Sequence, residues 1–226
     1  VVAVEAVLCW NHPQRGPLHS DSFSSLAEQK GLAVPIGLMM IRKAALQAVI
    51  WQSAAINFGR IAISLSEVHL AQFSLIADLH TILLESRCSI AWLEFAIDEV
   101  IFTSDNPVVH ENLINLSKMG VALTIDKFGE ERPLFRLFEQ LTIDKFKISK
   151  HFSEGAYVDF INRAIQDGVL VLARSLGVTV VSDSLGNKTG GGVGLSTRFS
   201  PTGQQLHSAA LKASEITFYL HCNKRK

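Results

Sequence analysis

The chain has little of what staples a small fold together. Its three cysteines, Cys9, Cys88 and Cys222, are odd in number and far apart, with no Cys-x-x-Cys pair. That pattern excludes a zinc knuckle and a disulfide framework. Neither sign of charge is in excess, with 21 basic and 21 acidic residues, so no overall field draws the chain to nucleic acid or an anionic membrane. Two tyrosines and no basic stripe argue against DNA or RNA as partner. No uninterrupted apolar run reaches the ~18–20 residues of a spanning helix; the best candidate, Ala33–Ile41, contains Pro35 and Gly37 and stops at Arg42. There is no signal-peptide pattern and no initiating methionine, and the chain opens mid-strand on Val1-Val2-Ala3-Val4. The expectation is a cytoplasmic domain excised from a longer protein, with membrane attachment of that parent left open.

What the chain does have is apolar material in a regular rhythm. Of its 226 residues 48% are hydrophobic and 19% charged, enough to fill a sizeable core. Strands are predicted over Val1–Leu8, Arg60–Leu65, Ala91–Ile97, Val121–Ile125, Asp144–Ile148 and Val178–Ser182. Between them, helices are predicted over Ser22–Lys30, Ile36–Ala54, Leu75–Ser86 and Leu134–Leu141, from an Asp105 or Asn106 cap with Pro107 to Gly120, and along a face marked by Tyr157, Phe160, Ile161, Ala164, Ile165 and Leu172. Alternating β and α units of roughly thirty residues, with apolar strands, imply a parallel sheet closed as an α/β, TIM-like (β/α)8 barrel. The phenylalanines, Phe58, Phe73, Phe95, Phe128 and Phe146 among them, read as core. Chemistry on such a barrel sits at the C-terminal ends of the strands. After Asn187 the periodicity stops, so residues 1–187 are read as the barrel domain and 188–226 as an atypical C-terminal segment. Gly190–Gly194 reads as a plain loop, since no Lys-Ser/Thr follows it.

The strand-end residues carry a resemblance. Val4-Glu5-Ala6-Val7-Leu8-Cys9-Trp10-Asn11-His12-Pro13 with Gly16, then Phe23 through Ala27-Glu28 and Gly31, Asp126-Lys127-Phe128-Gly129, Lys147-Ile148-Ser149 and Ser182-Asp183-Ser184-Leu185-Gly186 fall in the order and spacing of the signature blocks of EAL domains. The chain resembles that family, whose members are cyclic di-GMP phosphodiesterases of bacterial signalling. The resemblance implies a barrel whose first strand precedes Val1 and whose last unit is replaced by the tail. It also implies two magnesium or manganese ions that activate the attacking water, an oxygen-rich ligand set to hold them, a lysine beside the water and an arginine on the phosphate.

Set against that pattern, Glu5 and Asp126 are retained, Asp183 is a shortened acid, and these three are the residual metal ligands the resemblance allows. Lys147 is the retained relic of catalysis. Cys9 stands in place of the arginine, Ser64 of an asparagine, Ala96 of a glutamate, Lys127 of an aspartate, Ser149 of an aspartate and Gly186 of a glutamate. Replacing acids with alanine, serine, glycine and lysine makes the site more positive. Two like charges ~4 Å apart repel by about 4 kcal/mol at an effective dielectric of 20. No cofactor is therefore expected, and Glu5, Asp126 and Asp183 are read as paired with Lys127 and Lys147. The reading is a degenerate, non-catalytic module that regulates by contact with a protein partner or another domain of its parent chain, homodimerisation staying open. The alternatives are a catalytically dead cyclic di-GMP receptor and a weakly active, metal-dependent phosphodiesterase.

Overall fold

A computed structural model of the chain describes residues 3–130, 138–148 and 160–182. The described residues up to Phe95, with Asp105–Val121, form one compact unit; Ala96–Ser104 and those from Ala122 onward form a second.

The first unit opens with β1 (Ala3–Glu5), then a hairpin of β2 (Cys9–His12) and β3 (Gly16–His19), paired antiparallel from Cys9↔His19 to His12↔Gly16. The sequence reading ran one strand through to Leu8. The chain instead breaks after Glu5, and His12 organises the turn by accepting the N–H groups of Gln14 and Arg15 at its Nδ1. Gly16 closes that turn at φ 73°, a left-handed conformation suited to glycine. Next come α1 (Ser24–Gln29), α2 (Ala33–Ser53), β4 (Arg60–Leu65), α3 (Glu67–Leu70), α4 (Leu75–Ser86), the start of β5 (Leu93–Asp98) and α5 (Pro107–Lys118). Strand β1 pairs parallel with β4, Ala3 against Arg60 and Glu5 against Ala62.

Small residues let α2 lie close to its neighbours. Gly37, Ala44, Ala45 and Ala48 are buried along it together with Ile41 and Trp51, and it packs on α4 and β4. The whole helix, Ala33–Ser53, is long and apolar enough by composition to cross a membrane, at a mean hydropathy of 1.5 in its best window. This corrects the reading from uninterrupted runs, because a helix averages over Arg42 and Lys43. Its alanine stripe lies on the buried face, while Met39, Leu46 and Ile50 are exposed. Strand β4 buries Ile61, Ala62, Ile63 and Leu65, and β5 buries every residue from Leu93 to Ile97. Burial on both faces is what parallel strands flanked by helices require. Helix α5 begins where Asn106 accepts the N–H of Val108 and Pro107 takes the first helical position. One phenylalanine expected inside is outside: Phe73 is 87% exposed in the turn before α4.

The second unit begins within β5, passes through a 3-10 turn over Glu99–Thr103, and adds β6 (Ala122–Phe128), β7 (Lys145–Ile148), α6 (Phe160–Leu176) and β8 (Thr179–Ser182). Its strands run β5-β6-β7-β8, with β6, β7 and β8 parallel in register. Phe146 is fully buried and stacks face to face on Phe128, ring centroids 4.1 Å apart. Asp144 staples the strands: its carboxylate accepts the N–H of Leu123 at 3.1 Å, and its carbonyl accepts that of Thr179 at 3.0 Å. Half of the helix read over Leu134–Leu141, residues 134–137, and the whole of 188–226 lie outside the described residues; Phe138–Leu141 is described and is not α-helical.

Candidate functional site

At the C-terminal ends of β5, β6 and β7 the second unit gathers its acids and bases. The gathering depends on an irregularity in β6. Thr124 opposes Lys145 and Ile125 opposes Phe146, but Phe128 opposes Ile148. Two residues of β6, Asp126 and Lys127, therefore face the single residue Lys147 of β7. Such an extra residue re-aims side chains at the end of a strand. Lys127 takes the left-handed conformation, φ 56°, a sparsely populated region for a long side chain. Its N–H donates to Asp126 Oδ1 at 2.8 Å.

The side chains then alternate in sign. Lys127 Nζ donates to Asp98 Oδ2 at 2.5 Å, and Lys147 Nζ to Asp126 Oδ2 at 3.4 Å. The first pair is open to water, its side chains 54% and 37% exposed; the second is mostly buried, at 14% and 15%. The exposed pair contributes on the order of 0–1 kcal/mol. Removing one partner of the buried pair costs more, because a charge is left without its counter-ion. The hydrogen bond to Asp98 holds the Lys127 ammonium above its ordinary pKa, and the carboxylates of Asp98, Asp126 and Glu130 add to that shift while partial burial opposes it. Beneath these pairs Glu99, 2% exposed, accepts the N–H of Gly129 at 2.8 Å and fixes the loop after β6.

The sequence-predicted positions fall as follows. Asp126, Lys127 and Lys147 come together, and Ala96 is buried on β5. Glu5 is exposed at the end of β1, and Ser64 is exposed on β4. Cys9 is exposed on β2, away from the end of β1, because the strand stops at Glu5. Ser149, Asp183 and Gly186 lie outside the described residues. Asp98 was missed, and it takes Lys127, which the sequence reading had paired with Glu5, Asp126 or Asp183. A signal existed: Ala96 and Asp98 are two apart on a strand and share a face, so the acid absent at 96 returns at 98.

A pair of magnesium or manganese ions needs several convergent oxygen donors. Among the described residues, no group of three or more His, Cys, Asp or Glu is placed to hold a metal ion. Asp126 spends one oxygen on a backbone N–H and the other beside an ammonium group. The described donor set of this unit does not fit the metal pair.

A family model described as "EAL domain" matches residues 1–189. An uncharacterized signaling protein of Caulobacter vibrioides is 31% identical over 185 residues, 82% of this chain and 22% of that protein. The bifunctional diguanylate cyclase/cyclic di-GMP phosphodiesterase MucR of Pseudomonas aeruginosa is 29% identical over 185 residues, 82% of this chain and 27% of its own length. The chain thus spans less than a third of these relatives. The solved structure of the MucR phosphodiesterase in complex with c-di-GMP superposes with a TM-score of 0.77 at 28% identity, covering 83% of this chain and 76% of that one.

Proposed function

Because the chain belongs to the EAL domain family, a family of TIM-like barrels, we propose that it is a non-catalytic EAL module of cyclic di-GMP signalling that regulates through contact with a protein partner or another domain of its parent. One observation carries the reading: Lys127, standing where the resemblance has an aspartate, sets its ammonium on the Asp98 carboxylate at the ends of β6 and β5. Hydrolysis by two metal ions requires cations that clamp the attacking and leaving oxygens. Here protein ammonium groups engage the carboxylates instead, and function follows the site, whatever the fold. The test is incubation of the purified chain with cyclic di-GMP and excess magnesium or manganese. No linear dinucleotide should accumulate; product formed in proportion to protein overturns the reading.

A second reading is metal-free binding of cyclic di-GMP, favoured by the ligand in the MucR complex. Cys9 weighs against it, since a thiol replaces the guanidinium fork that suits a phosphate. Calorimetric titration in a chelating buffer separates the two: saturable heat supports the receptor, and its absence supports the contact module.

A further inference from the structure

The misfit between the acids of the second unit and a metal has a specific occupant. Lys127 sits at the extra residue of β6, in a backbone conformation that its side chain does not favour. That conformation is fixed locally by the Asp126 carboxylate, and it sends the ammonium to Asp98 at the end of β5. The carboxylates of Asp126 and Glu130 add their field to that of Asp98. The arrangement is a positive charge on a leash, held where strand ends bring acids together. A solvated surface lysine has no need of a bulge or a left-handed residue.

We propose that the Lys127 ammonium is a tethered cation that stands in for a bound divalent ion, tying the end of β5 to the bulge of β6 and leaving this unit indifferent to divalent metals. The inference rests on the non-catalytic reading above, and its test reads metal rather than product. Manganese binding to the whole chain is followed by the electron paramagnetic resonance of the free ion, with thermal midpoints taken with and without the metal. Wild type should leave the manganese signal unquenched and its midpoint unmoved by chelator. Lys127→Asp removes the leash and adds an acid, and aspartate tolerates the left-handed backbone; it should bind manganese at least about tenfold more tightly and melt higher in its presence. Should Lys127→Asp not fold, Lys127→Asn, equally compatible with that backbone, must show the gain over wild type that releasing Asp98 from the ammonium predicts. Wild type binding manganese as tightly as the variants, or a folded variant with no gain, overturns the proposal. Cyclic di-GMP cleavage by wild type, followed in parallel, reports separately on the non-catalytic reading.

Discussion

His69 shows how one side chain at the edge of a helix sets a tolerance for acid. Its Nδ1 accepts the N–H of Ser66 at 3.2 Å and lies 2.8 Å from the Ser66 hydroxyl, so Nε2 keeps the proton and donates to the Ala33 carbonyl at 3.0 Å. The ring completes a capping box for α3, a role usually filled by Glu or Gln. It also lies on α2 so closely that a Cβ on Gly37 would stand 2.1 Å from Nε2; here the glycine is required by approach, not by its backbone angle. Burial lowers the His69 pKa below 6.5, against the opposing pull of the Glu28 charge and the backbone hydrogen bonds. The folded pKa being the lower one, the unfolded chain takes up the proton first. The stability from neutral His69 is complete above 6.5 and is lost as pH falls through that value toward the folded pKa. Denaturant unfolding at about pH 7.5 and about pH 5.5 should show a loss in wild type that is smaller in His69→Gln, which keeps the cap without a titrating ring. Equal losses would show that other groups set the acid limit.

Between elements, ties are made where helices run out of partners. Asn112 of α5 is 4% exposed, and its Nδ2 donates to the carbonyls of Leu70 and Gln72, both at 2.8 Å, just where α3 ends. The last carbonyls of a helix have no partner within it. Asn112→Leu adds some bulk and takes the amide donor from the Leu70 carbonyl, while the Gln72 carbonyl keeps the Leu75 N–H at 3.2 Å; it should cost about 1–3 kcal/mol, read as a lower urea midpoint with an unchanged slope. Legibility at this scale followed locality. The bounds of β4 and α4 coincide with the sequence reading because apolar spacing defines them, and Asn106-Pro107 announces α5 outright. The hairpin of β2 and β3 went unread because Trp10-Asn11-His12-Pro13 shows no alternation, and its order comes from a histidine gripping the turn. The bulge at Asp126-Lys127 was hidden for the same kind of reason: it is a mismatch between two strands, and neither strand's own residues disclose it.

For the whole molecule, the family blocks were legible in order along the chain, and with them the barrel class. The pairing of charges was not, since a balance of 21 against 21 says nothing of which acid meets which base. The reading sets Glu5, Asp126 and Asp183 with Lys127 and Lys147 as a group; Lys147 on Asp126 and Lys127 on Asp98 needed coordinates. The uneven placement of one residue type across the two units has a practical side. All three tryptophans, Trp10, Trp51 and Trp92, belong to the first unit, and the second has none. Trp51 is buried beside Phe58, while Trp10 is 42% exposed. Indole emission thus arises from residues of the first unit alone. A tryptophan introduced into the second would give that unit an optical signal of its own.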